Sequence, residues 1–272
     1  MSNPVSVLRR DGVAIILVDK PPVNAISIAV REGLMTAIKD IKADAVVIAA
    51  AGKTFMAGSD IREFDAPPVE PILWRVNDAI EALPMPVVAA IHGTALGGGF
   101  EIALACHYRI AAKDAKMGLP EVNLGIIPGA GGTQRLPRLI GVEKALEWIL
   151  SARQVKAAEA LKVGAIDEIA TGDLLDAAVA TAKKLAAQNT TRRTSQIAVP
   201  TPEAGFFAEQ RKAVAKRARG FEAPPAAIDA VEAAVTKPFA EGLLTELEIS
   251  RRLKASDQSK AQRHLFFAER EV

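Results

Sequence analysis

The sequence is poor in cysteine, since Cys106 is the only one among 272 residues. A single cysteine excludes an internal disulfide framework and favours a reducing compartment, and the apolar neighbours of Cys106 predict that it is simply packed. The N-terminal segment lacks the apolar core of a signal peptide, and the longest unbroken apolar runs, such as residues 45–51, are too short to span a bilayer. These absences predict a cytoplasmic protein that does not associate with membranes.

A large excess of charge is absent as well. The formal net charge is +2 and the basic residues are spread along the chain, which argues against nucleic acid binding as the main function. His107 and His264 have no partners at metal-ligand spacing, so no metal site is predicted. The glycine-rich stretch 129–133 lacks the Gly-Lys-Ser/Thr ending of a P-loop and no dinucleotide fingerprint occurs, so no nucleotide cofactor is predicted.

What the sequence does contain is enough apolar material for a large core, because half of its residues are hydrophobic. Short continuous apolar runs rich in β-branched residues are typical of strands covered on both faces, and apolar residues at helical spacing with a capping Ser27 predict a helix between the first two strands. An α/β domain over residues 1–189 follows. The predicted strands are 13–18, 45–50, 87–91, 108–112 and 166–169, and the predicted helices are 27–42, 101–106, 131–140, 143–151 and 174–188.

The pattern changes at Thr190. A polar stretch is followed by Pro200 and Pro202, and no further β-branched apolar run occurs. Residues 190–272 are therefore predicted to be an all-α segment that serves packing or oligomerisation, with helices at 204–219, 226–236, 242–253 and 256–269. Its apolar residues would not be needed in a solvated appendage, so this segment is expected to dock on the core through Leu243, Leu244, Leu247 and Phe266.

Two glutamates follow stretches built for close backbone approach: Glu101 ends Ala-Leu-Gly-Gly-Gly-Phe-Glu and Glu121 ends Met-Gly-Leu-Pro-Glu. A pair of carboxyl groups aimed at one point can hold a water molecule and move protons in both directions, as hydration of a double bond requires. Small residues at 55–62 and 97–99 follow predicted strands, so two backbone N–H groups there would form an oxyanion hole. The alternatives are a tight strand-to-helix turn for the glycines and a helix-dipole role for each glutamate.

Three segments, 55–61, 95–101 and 118–136, occur in this order and together resemble the enoyl-CoA hydratase/isomerase (crotonase) family over roughly residues 5–188. The segment 21–26 is similar to the first turn with which that family contacts CoA. The resemblance implies the α/β fold of that family, a crotonase-like ββα spiral core, here with an all-α C-terminal segment.

The resemblance also implies roles for individual residues. The backbone N–H groups of Ser59 and Gly98 would form the oxyanion hole for a thioester carbonyl, and Glu101 and Glu121 would be the catalytic glutamates, with Glu121 delivering a proton and both positioning water. CoA is part of the substrate, so no separate cofactor is implied. The residues expected to contact CoA or the acyl group are Val23, Ala25, Lys53, Ala57, Asp60 and Ile61.

The stretch 261–271 resembles the linker helix of bifunctional enzymes that join an N-terminal hydratase to a 3-hydroxyacyl-CoA dehydrogenase. The leading hypothesis is therefore an enoyl-CoA hydratase of fatty acid β-oxidation, either the hydratase part of such a protein, with a dehydrogenase half or partner, or a stand-alone relative of that part. An additional Δ3,Δ2-enoyl-CoA isomerase activity, as in the bifunctional relatives, stays open. The alternatives are another two-glutamate CoA lyase acting on a specialised acyl group and a non-catalytic CoA-binding assembly subunit. The intact glutamate pair argues against the subunit. Acyl chain length and oligomeric state stay open.

Overall fold

The strands form two sheets in the computed structural model, which describes residues 3–218 and 220–271. Met1, Ser2, Arg219 and Val272, which the sequence-based boundaries include, lie outside the described residues. The strands are β1 (Val5–Arg10), β2 (Val13–Val18), β3 (Ala45–Ala50), β4 (Val87–Ile91), β5 (Thr94–Leu96), β6 (Tyr108–Ala111), β7 (Lys116–Gly118), β8 (Val155–Lys156) and β9 (Glu168–Ile169).

The larger sheet has the order β1-β2-β3-β4-β6-β9, in which β1 is antiparallel to β2 and the remaining pairs are parallel. The smaller sheet has the order β5-β7-β8, with β5 parallel to β7 and β7 antiparallel to β8. This arrangement confirms the predicted α/β class. It also brings the chain back to the same edge after β3 and after β4, where the candidate site lies.

Helices follow most of the strands. They are α1 (Ile28–Lys39), α2 (Leu73–Ala82), α3 (Gly98–Ala105), α4 (Gly132–Ile140), α5 (Val142–Ser151), α6 (Ala157–Val163), α7 (Leu174–Ala187), α8 (Phe206–Arg217), α9 (Ala223–Thr236), α10 (Phe239–Ala255) and α11 (Asp257–Glu271). Three short 3-10 helices lie at Ile61–Glu63, Glu121–Leu124 and Thr194–Gln196.

The central strands are buried on both faces, as their continuous apolar runs predicted. Ile15 is paired with Val47, and these residues pack with Val179 of α7 on one face. The next residues along the strands, Ile16 and Ile48, point to the opposite face and join the main core. Because both sides are covered, alternation between polar and apolar residues is not required in these strands.

Some elements differ from the sequence-based predictions. Strand β1, the three strands of the smaller sheet and helices α2 and α6 were not predicted, and α3 begins three residues earlier than expected, at Gly98. Ser27 occupies the N-cap position of α1, but its hydroxyl makes no cap hydrogen bond and is buried without a partner. The carboxylate of Glu63 accepts the N–H of Ile28 instead, at 2.9 Å. Ser27 therefore lies at the predicted N-cap position, but the predicted capping hydrogen bond of its side chain is not made.

The helices after residue 190 pack against the α/β core. Helix α9 contacts α4 and α5, and Ala227, Ile228 and Ala230 are completely buried within the main core. The predicted docking is confirmed, and Leu243 is buried as expected. Leu244 was wrongly assigned to the contact, because it faces solvent on α10. In the part of the chain that the structure describes, no helix has the length and apolar character needed to cross a membrane.

Candidate active site

Two backbone segments lie side by side at the carboxyl ends of β3 and β4. Met56 N–H donates to the carbonyl of Thr94 and Leu96 N–H donates to the carbonyl of Met56, at 3.2 and 3.1 Å. The contact is so close that a Cβ at Gly99 would lie 2.1 Å from the Met56 carbonyl oxygen. Only glycine fits at this position, which explains one of the three consecutive glycines in physical terms.

Gly98 and Ser59, the residues that carry the two predicted oxyanion donors, lie next to each other at this contact. A Cβ at Gly98 would lie 2.9 Å from the Ser59 Oγ. Gly98 is the first residue of α3, so its N–H has no partner within the helix. Ser59 forms a parallel bridge with Ile26, in which Gly58 and Asp60 supply the bonding groups, so the N–H of Ser59 points to the other side. Two backbone donors are thus available beside one another.

The carboxyl group of Glu121 lies next to this pair. Its Oε1 is 2.9 Å from the position that a Cβ on Gly97 would occupy, and Gly97 directly precedes the donor Gly98. Its Oε2 is buried and has no hydrogen-bond partner. Burial, and next the charge of Glu101, raise the pKa of Glu121 well above its ordinary value. Both effects favour the protonated form of Glu121.

Glu101 projects from α3 into the loop that precedes α4. Its Oε1 accepts the N–H groups of Ala130 and Gly132, both at 2.8 Å. Burial raises the pKa of Glu101 to about 7, and the two N–H groups and Arg135 oppose this shift. The helix-dipole alternative weighed for Glu101 thus has a physical basis, because its carboxylate holds the first turn of α4. The same contact fixes the direction of the carboxylate.

The environments of the two carboxyl groups push their pKa values apart. Glu101 has N–H donors that favour its anion, whereas the unpartnered oxygen of Glu121 and the nearby charge of Glu101 favour its protonated form. The arrangement therefore favours a carboxylate at Glu101 and a carboxylic acid at Glu121. Such a pair supplies a general base and a general acid at one place.

The predicted CoA-contacting turn packs onto the same loop. Ala57 N–H donates to the carbonyl of Val23 at 3.1 Å, and the Asn24 amide donates to the carbonyls of Ala51 and Thr54 at 2.8 and 2.7 Å. Val23 is exposed, whereas Ala25 and Ala57 are half-buried. The structure thereby brings Val23, Ala25 and Ala57 together near the donor pair, and their contact with CoA stays a prediction.

The other residues predicted to contact CoA or the acyl group, Lys53, Asp60 and Ile61, differ in their surroundings. Lys53 has an exposed side chain and Ile61 is half-buried at the start of a 3-10 helix. The Asp60 carboxylate accepts two bonds from the Arg62 guanidinium, at 2.8 and 2.7 Å, and this pairing lowers its pKa. Asp60 therefore has a structural ion pair, and its role towards CoA stays a prediction. Among the described residues, no group of three or more His, Cys, Asp or Glu side chains is placed to hold a metal ion.

One residue of the site was not predicted. Glu246 on α10 is 1% exposed, and its carboxylate accepts the N–H groups of Gly131 and Thr133 at 2.6 and 2.8 Å. A signal for it is present in the sequence, because Glu246 lies on the same helix face as the buried Leu243 and Leu253. A carboxylate in an otherwise apolar stripe indicates a buried partner.

Comparison with known proteins agrees with this geometry. The family described as "Enoyl-CoA hydratase/isomerase" matches residues 9–199, and the chain belongs to that family. The predicted family resemblance is confirmed.

Relatives and solved structures extend the comparison. The "Peroxisomal bifunctional enzyme" of Danio rerio is 47% identical over 270 residues, covering 97% of this chain and 38% of that protein. The Homo sapiens protein of the same name is 42% identical over 271 residues, with shares of 97% and 38%. The chain thus spans less than two fifths of the length of these curated relatives.

Solved structures show the same fold. Carnitinyl-CoA hydratase from Mycobacterium avium has a TM-score of 0.70 and 31% identity, with 99% of this chain and 97% of that chain covered. Enoyl-CoA hydratase from Bacillus anthracis has a TM-score of 0.61 and 30% identity, with 98% and 96% covered. The predicted crotonase-like fold is confirmed by these similarities.

Proposed function

We propose that the chain catalyses the reversible addition of water to a trans-2-enoyl-CoA, giving a 3-hydroxyacyl-CoA. The observation that carries this proposal is the pair of buried carboxyl groups beside two backbone N–H donors: one carboxyl group accepts two N–H groups and the other has an oxygen without a partner. Family membership supports the same reaction. Fatty acid β-oxidation is the process in which we place it.

In the proposed mechanism the thioester carbonyl accepts the N–H groups of Ser59 and Gly98. Polarisation of the carbonyl makes the β-carbon of the conjugated double bond electrophilic, and the two donors stabilise the enolate as charge develops. Each such donor is worth roughly 10²–10³ in kcat in other enzymes. Because the donors are backbone groups, the identity of the side chain at Ser59 does not matter for this step.

The glutamates carry the two protons. Glu101 takes a proton from water as the water oxygen bonds to the β-carbon, and Glu121 gives its proton to the α-carbon as the enolate collapses. Hydrogen and hydroxyl arrive from the side of the substrate on which both glutamates lie, which gives syn addition. A proton passed from Glu101 to Glu121 restores the starting state. The proton-delivering role predicted for Glu121 is supported by its raised pKa.

Hydration of crotonyl-CoA tests the proposal. The loss of ultraviolet absorbance of the conjugated double bond reports hydration, and separation of the product reports its stereochemistry. Conversion of a trans-3-enoyl-CoA to the 2-enoyl isomer would show the proposed isomerase activity. A chain that binds a saturated acyl-CoA yet converts neither substrate would be the CoA-binding assembly subunit. Activity confined to branched or hydroxylated acyl groups would identify a specialised lyase.

The larger context is proposed from the relatives. Because the matched relatives are named bifunctional and are much longer, we propose that the hydratase works with a 3-hydroxyacyl-CoA dehydrogenase unit, either covalently joined or as a partner. The docked tail occupies the flank of the core, so we propose a monomer. Light scattering that gives a mass well above 28.7 kDa would contradict it.

We also propose the cytoplasmic location that the composition predicts. The matched relatives carry the word peroxisomal in their names, so peroxisomal location is the competing outcome. Fractionation of cells that express the native protein distinguishes the two compartments.

A further inference from the structure

The loop that precedes α4 is held between two buried carboxylates that approach it from different parts of the chain. The N–H groups of Ala130 and Gly132 donate to Glu101, both at 2.8 Å. The alternate N–H groups, those of Gly131 and Thr133, donate to Glu246 at 2.6 and 2.8 Å. The four successive N–H groups therefore donate alternately to Glu101 of the core and to Glu246 of the tail.

We propose that Glu246 is a positioning residue of the hydratase site: by binding the N–H groups of Gly131 and Thr133, it fixes the loop whose other two N–H groups orient Glu101. This proposal rests on the proposed function, in which Glu101 is the general base. Without Glu246 the loop can turn, because two of its four donors lose their acceptors while buried. The direction of the Glu101 carboxylate then changes, although Glu246 itself touches no substrate.

The hydrogen bonds of Glu246 leave it little freedom. Its Oε2 accepts both the N–H and the hydroxyl of Thr133, the latter at 2.5 Å, while Oε1 accepts Gly131. Glutamine has one acceptor oxygen in place of two, so Glu246→Gln keeps the volume and forces an amide N–H₂ against a backbone N–H. The variant therefore releases one side of the loop and removes the tail carboxylate.

The charges around Glu246 determine the expected pH effects. The titratable and charged groups that face the loop come from α3, the segment after β7, α4 and α2: Glu101, Glu121, Arg135, and the Arg135 partners Asp78 and Glu81. Burial, and then the charge of Glu101, raise the pKa of Glu246 to about 8. The charge of Glu246 in turn contributes to the raised pKa of Glu121.

Loss of the Glu246 carboxylate is therefore expected to move the two catalytic pKa values towards each other. Above about pH 8, where Glu246 is ionised, the pKa of Glu121 falls because a neighbouring negative charge is removed. The pKa of Glu101 rises because its N–H donors are less well aligned and stabilise the anion less. The pH range in which Glu101 is ionised and Glu121 is protonated becomes narrower from both sides.

The kinetic test compares Glu246→Gln with Glu248→Gln, an exposed glutamate on the same helix. For Glu246→Gln we expect kcat on crotonyl-CoA to fall about tenfold at neutral pH, and both limbs of the kcat profile to move inward. Binding of butyryl-CoA, which cannot be hydrated, should stay within threefold of the wild type in calorimetry. Glu248→Gln should match the wild type throughout. A lower melting temperature with an unchanged pH profile would show a merely structural role and overturn the proposal.

A second measurement needs no turnover. Carboxyl ¹³C resonances of labelled glutamate, assigned with Glu101→Gln and Glu121→Gln, give the titrations of both groups in the wild type and in Glu246→Gln. Thr133→Val removes the hydroxyl bond to Glu246 and the bond that this hydroxyl accepts from the Gln134 amide, but it keeps both backbone bonds to Glu246. It is therefore a milder variant with the same expected direction. Identical titrations in all proteins would overturn the positioning role. If the wild type fails to hydrate crotonyl-CoA while the titrations move as expected, the proposed function fails and the coupling stands.

Discussion

At the scale of single residues, the site depends on how far hydrogen bonds offset the cost of burying its three glutamates. Glu101 and Glu246 each accept backbone N–H groups, which offsets part of the cost of burying a carboxylate. Glu121 has one oxygen without any partner. The order in which these groups lose their protons follows from this difference. Because they interact, measured pKa values belong to the group as a whole.

The pH dependence of hydration follows from this order. Glu101 must be ionised to accept a proton, and its pKa is raised to about 7, so kcat should fall as pH decreases through about 7. Because the pKa of Glu121 is raised, this acid keeps its proton to higher pH than an ordinary glutamate, and the basic limb moves up with it. A kcat profile on crotonyl-CoA between roughly pH 5.5 and 9.5 checks both limbs. A rate that is constant from roughly pH 5.5 to 8 would contradict the assignment of Glu101 as base.

The sequence predicted the residues whose neighbours lie close along the chain. Glu101 and Glu121 follow recognisable motifs, and Gly98 and Ser59 follow strands that end at the same edge. Glu246 was missed because its partners Gly131 and Thr133 lie more than a hundred residues away. Hydrogen bonds over such separations depend on how the tail docks, and no local pattern encodes that.

At the scale of elements, the start of α1 offers a test of what caps a helix. The Ser27 hydroxyl makes no cap bond, whereas Glu63 binds both the Ile28 N–H and the Arg31 guanidinium. We expect Glu63→Ala to lower the free energy of unfolding by about 1–2 kcal/mol, and Ser27→Ala to change it by less than about 0.5 kcal/mol. Urea unfolding of both variants measures the difference. The reverse ranking would show that the serine caps the helix after all.

The strands and helices that were predicted are either buried on both faces or have a clear apolar stripe along one face. Strands β2, β3 and β4 are apolar throughout, so composition alone indicated them. Strand β1 has only Val5 buried, and its remaining residues are exposed, so its pairing with β2 leaves no apolar signature. Helix α2 buries Asn77 and Glu81 beside Val76 and Ile80, and these polar residues obscure its apolar face.

At the scale of the whole molecule, the tail is part of the core. Helix α9 places small residues against α4 and α5, and α10 supplies Glu246 to the loop before α4. The composition change at Thr190 marks where strands end and helices alone continue. The α/β part of the fold was predictable from the sequence. The extent to which the tail packs on the core was not, because it depends on buried alanines that form no recognisable periodic pattern.

Ile228→Ala tests this integration. Ile228 is fully buried in the main core, and such truncations typically cost about 2–5 kcal/mol. We therefore expect a single unfolding transition at lower urea, seen by the fluorescence of the buried Trp148 on α5. Leu244→Ala, at an exposed position on α10, should leave the transition within about 0.5 kcal/mol of the wild type. If the Trp148 transition were the same in both variants, the tail would be an independent appendage.

The most direct test of the account is the rate of crotonyl-CoA hydration by Glu101→Gln and Glu121→Gln, with the exposed Glu143→Gln as control. Glutamine preserves volume and removes proton transfer, so each of the first two variants should lose about 10²–10⁴-fold in kcat. Binding of butyryl-CoA should stay within a few fold of the wild type, and Glu143→Gln should be unaffected. A folded Glu101→Gln or Glu121→Gln protein with the wild-type kcat would contradict the two-glutamate mechanism.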